Sequence, residues 1–256
     1  MNIPPFVPLR PACCALAAAL MLGTPATAQS ATRAAPAAVS APASARAATA
    51  GKGPQAARKP LSADAQKLLH WVRQTGDNRG QPFAVIDKRN ARLHVFEPGG
   101  RLRGTAPVLL GIARGDDTAP GVGDKKLSEV LFHERTTPAG RFVAEHGMNA
   151  RGENVIWIDY DAAVSMHRVL TTNPKERRLR RLATPSAADN RISYGCVNVP
   201  KRFFEDVLVK TLKTPRPVVY VLPETRPLDA TFAGMSGAGK PVRRAAVGSA
   251  PPGRQP

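Results

Sequence analysis

The hexapeptide Ser193-Tyr194-Gly195-Cys196-Val197-Asn198 sets one thiol among small and polar residues, just ahead of a helical pattern that Pro200 opens. A thiol near a helix N-terminus is drawn towards thiolate by orphan backbone N–H groups and the positive end of the dipole. Gly195 lets a substrate carbonyl approach the backbone closely. The same amides can donate to the oxyanion that forms when sulfur attacks that carbonyl. The chemistry on offer is nucleophilic acyl transfer.

Such a nucleophile is helped by a neighbouring base, and the chain has five histidines, His70, His94, His133, His146 and His167. His70 falls on an opening helix and His94 on an early strand, where surface or core roles suffice. His133 sits in a long loop whose His-Glu-Arg-Thr-Thr context lacks the second His of a zinc motif. His146 ends an expected strand beside Gly147. His167 differs, because Ser165, His167 and Val169 share one face of an expected strand while Val164, Met166 and Arg168 share the other. A strand can aim an imidazole across a cleft, but spacing alone does not show that it meets Cys196, 29 positions on, and favours a buried structural histidine. No two candidate ligands have metal-type spacing, so neither a metal nor another cofactor is expected.

The elements that must position these residues follow from pattern. Ser62 caps an amphipathic helix carrying Leu68, Leu69 and Val72. Strands are expected over Phe83 to Asp87, Arg92 to Glu97 and Thr105 to Ala113, in a meander. Arg114 to Thr137 reads as a long functional loop. Further strands are expected over Arg141 to His146, Asn154 to Asp159 and Ala163 to Val169. Asn173, Pro174 and Glu176 form a capping-box pattern ahead of Leu179 and Leu182, opening a helix whose outer face is basic. Phe203, Phe204, Val207, Leu208 and Leu212 recur at helical spacing, and Pro217 to Leu222 is a last apolar strand. The fold class is mainly β with a few helices.

The N-terminus implies export. Residues 1–28 combine Arg10, an apolar stretch from Ala12 to Leu22 and the small-x-small site Ala26-Thr27-Ala28, the pattern of a cleaved signal peptide. The apolar run is well short of the ~20 residues that span a bilayer, so no stable membrane insertion is expected and the location is periplasmic or secreted. Cleavage removes Cys13 and Cys14 and leaves Cys196 as the one mature thiol, which must be buried or chemically employed in an oxidising compartment.

Residues 29–60 are an Ala/Pro-rich flexible linker by composition, 61–81 an N-terminal helix and turn, 82–223 the folded domain, and 224–256 a basic Gly/Pro-rich tail. Both tails are expected to be disordered. The formal charge is +18, and more than half of that excess lies outside residues 82–223. It suits loose attraction to an anionic polymer, whereas aromatic residues at 5% are too few for a single-strand nucleic-acid reader. Export also removes the usual nucleic-acid partner.

Together, the Cys196 hexapeptide, the Met166-His167 strand and Thr137-Pro138-Ala139-Gly140-Arg141-Phe142 resemble the catalytic domain of the L,D-transpeptidases, the YkuD family. The likeness runs from roughly Pro82 to Leu222. It implies a mixed β-sandwich with Cys196 as nucleophile, His167 as base and the Arg168 backbone carbonyl orienting that base. It also implies oxyanion donors among the amides of Tyr194, Gly195 and Cys196, and site-shaping roles for Ser193 and Asn198. The implied substrates are peptidoglycan stem peptides, with a wall-attached lipoprotein as a further conceivable partner. Two departures stand out. Tyr194 replaces the family's usual His, and the interval from His167 to Ser193 is longer than usual, filled by the basic helix. Hydrolysis of the same bonds, as a carboxypeptidase or amidase, and non-catalytic wall binding are the alternatives.

Overall fold

A computed structural model describes residues 60–236; the proposed signal peptide, nearly all of the linker and the end of the tail lie outside the described residues. Helix α1 (Ala63–Thr75) begins at Ser62, whose side chain accepts from the Ala65 amide, and ends at Gly76 in the left-handed conformation. It carries Ala65, Leu68, Trp71 and Val72 on its buried face.

That face packs on a five-stranded sheet. Strands β1 (Phe83–Asp87), β2 (Arg92–Phe96) and β3 (Leu102–Pro107) form the expected antiparallel meander. The chain returns much later to complete the sheet in the order β3-β2-β1-β11-β5, with β11 (Val218–Val221) parallel to β1 and antiparallel to β5 (Gly140–Val143). Every residue of β1 and β11 is buried, which requires cover on both faces. Phe83, Val85, Val218 and Tyr220 meet α1, while Ala84, Ile86, Val219 and Val221 face the other way into a second cluster. The period of two thus divides one strand between two cores.

The second cluster is shared with a four-stranded sheet in the order β10-β8-β7-β6, made of β6 (Glu145–Met148), β7 (Asn154–Asp159), β8 (Val164–Arg168) and β10 (Val197–Val199). Ile156, Ile158, Val164, Met166, Val197 and Val199 supply its side of the sandwich. Two short strands, β4 (Leu110–Gly111) and β9 (Arg191–Ser193), pair in parallel beside it.

Several expected elements divide. Thr105 to Ala113 is two strands, since after Pro107 the chain leaves β2 and β4 pairs with β9. Arg141 to His146 also splits, because at buried Ala144 the chain crosses from one sheet to the other, giving β5 and β6. The basic segment is a 3-10 turn (Pro174–Glu176) followed by α2 (Arg178–Ala183), separated by Arg177 at φ 50°. Asn173 caps as expected, accepting from the Lys175 amide, but the Glu176 carboxylate turns to Arg178, so no capping box closes.

The helical pattern after Pro200 is one continuous stretch: α3 (Lys201–Phe203), a π-helical turn (Phe204–Leu208) and α4 (Val209–Thr211), with Phe204, Leu208 and Leu212 in the sandwich core. Within the stretch read as basic tail, α5 (Leu228–Thr231) and a 3-10 turn (Ala233–Met235) bring Phe232 against Trp71 and Tyr220. No described helix is long and apolar enough to cross a membrane.

Candidate active site around Cys196 and His167

The parallel pairing of β8 with β10 brings the two candidates together. In that register Val197 lies opposite Met166 and Asn198 opposite His167, so Cys196, one residue before β10, arrives beside the face of β8 that carries Ser165 and His167. The thiol is half-buried there. Its Sγ is 3.8 Å from Ser165 Oγ and 3.5 Å from the Ala163 carbonyl, which accepts from it.

One expectation about this thiol is corrected. Strand β10 and Pro200 separate Cys196 from the first helical residue, Lys201, so the helix that follows Pro200 does not start beside the thiol. The imidazole supports its ionisation instead. Burial pushes the Cys196 thiol up, but hydrogen bonding and charge from His167, together with bonds from Ser165, bring it below its ordinary value.

His167 is displaced in the complementary direction. Burial opposes its charged form, yet the interaction with Cys196 and the Arg168 carbonyl outweigh it and raise the imidazole above its ordinary value. Its Nδ1 lies 2.8 Å from the Arg168 carbonyl oxygen. A carbonyl only accepts, so Nδ1 carries the proton in the neutral ring and Nε2 keeps the free lone pair. The Arg168 side chain leaves on the other face of β8, its guanidinium 5.4 Å from the Phe204 ring centroid and 3.8 Å from Glu205. There it lines a cleft of about 1000 Å³ on the far side of the strand from Cys196.

The loop between β9 and β10 is tied internally. Ser193 Oγ donates to the Cys196 carbonyl at 2.6 Å and accepts from the Gly195 amide at 3.2 Å. The Gly195 N–H is therefore engaged, which removes it from the expected set of oxyanion donors in this geometry. The amides of Tyr194 and Cys196 meet no backbone or side-chain acceptor among the described residues. Gly195 itself is required, since it stands at φ 131° and a Cβ there would lie 2.7 Å from the Thr136 carbonyl oxygen.

Three contributors escaped the sequence reading. Thr137 donates to the Gly195 carbonyl at 2.7 Å from the end of the long loop. Arg135, from the same loop, lies 4.1 Å from the centroid of the Tyr194 ring, which explains why an aromatic residue is accommodated at that position. Arg178, on the basic outer face expected for the helix after Asn173, donates to Asn198 Oδ1. Arg135 and Thr137 had a sequence signal in their place in a loop long enough to be functional, and Thr137 also opens the Thr137–Phe142 motif, but nothing in the sequence pointed to these contacts. His70 and His133 are exposed, and His146 lies within β6 with its Nε2 2.9 Å from the Leu212 carbonyl, apart from the thiol.

The chain resembles solved L,D-transpeptidase structures. The catalytic domain of the Enterococcus faecium L,D-transpeptidase matches at 16% identity over 56% of this chain and 98% of its own, with a TM-score of 0.33. The helical cell shape determining protein Pgp2 from Campylobacter jejuni matches at 14% over 61% of this chain, with a TM-score of 0.39. An L,D-transpeptidase from Xylanimonas cellulosilytica matches at 14% over 55%, with a TM-score of 0.34. The match spans 55% and 60% of those last two chains. No protein-family model and no curated protein matches the sequence. What the site can do is therefore argued from its own residues: a thiol held toward thiolate, and a base whose tautomer is fixed by a backbone carbonyl.

Proposed function

We propose that this chain is an exported cysteine acyltransferase acting on peptidoglycan stem peptides, with Cys196 as nucleophile and His167 as general base. The observation that carries the reading is the pairing of β8 with β10, which sets His167, tautomer fixed on the Arg168 carbonyl, against Cys196. In the first half-reaction His167 Nε2 takes the thiol proton, the sulfur forms a bond to the carbonyl carbon, and the amides of Tyr194 and Cys196 stabilise the oxyanion. Collapse breaks the carbon–nitrogen bond, and the proton on Nε2 passes to the leaving amine, a terminal D-alanine. An amine of a second stem peptide, or of a wall-attached lipoprotein, then attacks the thioester carbon and gives a proton to His167 Nε2, and the carbon–sulfur bond breaks to return the sulfur as the Cys196 thiolate, which takes that proton back.

Export through residues 1–28, and hence a periplasmic or secreted location, belongs to the same proposal. It is supported by the leader-like composition and by the single cysteine it leaves. The test is incubation of residues 29–256 with disaccharide-tetrapeptide. The expected result is D-alanine release, a thioester at Cys196 and loss of both in Cys196→Ala. A crosslinked dimer marks transfer and a trimmed monomer marks hydrolysis. Unchanged D-alanine release in Cys196→Ala would overturn the reading, as would binding of the sacculus with neither release nor adduct.

A further inference from the structure

Arg178 stands apart from its basic neighbours. Leu179 and Arg180 beside it are exposed, whereas the Arg178 side chain is 14% exposed and reaches across to β10. Its Nη1 donates to Asn198 Oδ1 and its Nε to the Glu176 carboxylate. A guanidinium has donors only, so the oxygen end of the Asn198 amide must face it. The NH2 end then turns the other way, donating to the Cys196 carbonyl at 3.3 Å and lying 3.4 Å from His167 Nε2. That nitrogen is the one that must carry the proton in transit, because Nδ1 is committed to the Arg168 carbonyl.

We propose that Arg178 is a positioning residue: by holding the Asn198 oxygen it keeps a donor, rather than an acceptor, beside His167 Nε2, and so keeps the imidazolium a strong acid towards the leaving amine. The inference rests on the acyl-transfer reading. When the thiol proton has moved to Nε2, the thiolate is the imidazolium's counter-charge. Once the sulfur–carbon bond forms, that charge sits on the carbonyl oxygen and is stabilised by other groups. Nε2–H then faces an NH2 group with no lone pair to offer, so its proton goes to the amine as the carbon–nitrogen bond breaks. An amide free to turn would present its oxygen to Nε2–H and hold that proton back.

Among the described residues, the groups set beside the imidazole are the Arg168 carbonyl on its own strand, Cys196 from the loop before β10, Asn198 on β10, and Arg178 backed by Glu176 from the basic segment, while Ser165 on the same strand faces the Cys196 sulfur. Burial and, more weakly, the Arg178 charge pull the imidazole down, against the upward pull of Cys196.

The test uses Arg178→Met, with Arg178→Lys as the variant that keeps a charged donor. The His167 midpoint is followed by NMR, and Cys196 alkylation by iodoacetamide is followed against pH; neither needs a substrate. In Arg178→Met the midpoint should rise by about one unit, an imidazolium about tenfold weaker as an acid. The alkylation profile should move to lower pH, and D-alanine release should fall in kcat with KM little changed. Arg178→Lys should recover part of each change. Asn198→Asp, which sets an acceptor beside Nε2 permanently, should raise the midpoint further and stands in should Arg178→Met not fold. An unchanged midpoint in folded Arg178→Met overturns the proposal. So does an equal shift from Arg178→Met in an Asn198→Leu background, where no amide remains to be oriented. If tetrapeptide is no substrate, the titration still decides the role of Arg178 while the acyl-transfer reading falls separately.

Discussion

The Thr137 hydroxyl donates to the Gly195 carbonyl at 2.7 Å and accepts from the Gly111 amide at 2.9 Å, so one fully buried oxygen ties the end of the long loop and β4 to the residue before Cys196. Thr137→Val keeps the volume and leaves both partners unsatisfied. It should cost about 1–3 kcal/mol, read as a lower urea midpoint at unchanged m-value. The proposed acyl transfer, and with it Cys196 alkylation near neutrality, should fall by more than the unfolded fraction explains, since the Cys196 loop loses its anchor.

Gly195→Ala tests the same junction from the other side. The added Cβ would meet the Thr136 carbonyl oxygen at 2.7 Å, at a backbone φ of 131° that disfavours any side chain. The loop must shift, at a cost on the order of 1–3 kcal/mol. Because that shift displaces the thiol from His167, the alkylation rate of Cys196 near neutrality should drop towards that of an unassisted thiol. A variant that alkylates as fast as the parent would show that the loop geometry is not what activates the sulfur.

Sequence pattern reached the elements whose residues answer to local rules. Ser62 and Gly76 bound α1, the period of two in β8 puts Ser165 and His167 on the thiol's side, and the Phe204–Leu212 spacing fills the core. It missed what depends on pairing between distant segments. Val108 and Leu109 look like the middle of one strand, yet their neighbours pair with β2 on one side and β9 on the other. Arg178 reads as one more residue of a basic outer face because its partner, Asn198, is 20 positions on in sequence and lies on β10, which pairs with β8. The helix start expected beside Cys196 lies further on for the same reason, since three residues before the helix were claimed as a strand.

A second buried polar cluster underlies the site. Lys88, with no exposed surface, donates to the Gly115 and Thr137 carbonyls at 2.6 and 2.8 Å and to Asp116 at 2.7 Å. Burial opposes the Lys88 charge and lowers its pKa against the pull of Asp116 and Glu224. Lys88→Met removes one partner of a buried ion pair and should cost about 3–5 kcal/mol, measured by denaturant unfolding. Because Thr137 loses its tether on the backbone side, Cys196 alkylation should slow even in the fraction that stays folded.

Arg135 and Tyr194 form a separable pair. The guanidinium is held over the ring at 4.1 Å while its Nε and Nη2 both donate to the Val130 carbonyl, pinning the long loop to the Cys196 loop. Tyr194 is 38% exposed, so the contact is worth roughly 0.5–1 kcal/mol. Arg135→Ala and Tyr194→Ala should each open the thiol to a bulky maleimide more than to iodoacetamide. The double variant should do little more than either alone; additive effects would mean that the two residues act independently.

Buried His94 should make the fold sensitive to mild acid. It is 2% exposed on β2, with Nδ1 2.9 Å from Thr105 Oγ1, and burial, partly offset by Asp87, lowers its pKa to about 4. A folded value below the unfolded 6.5 means the unfolded chain binds the proton more readily. The stability is therefore complete above pH 6.5 and is lost as pH falls towards 4, by about 3 kcal/mol in all. Asp116 is also held below the usual carboxylate range: burial would raise it, but bonds from Lys88, Thr225 and the Glu224 amide prevail. Its contribution is lost only below pH 4, so the two groups act in successive windows. Urea midpoints at pH 7, 5.5 and 4.5 should decline steadily in the parent and much less in His94→Gln, while Asp116→Asn should be weaker at every one of those pH values. A parent midpoint that is flat between pH 7 and 4.5 would mean that His94 takes up its proton without unfolding.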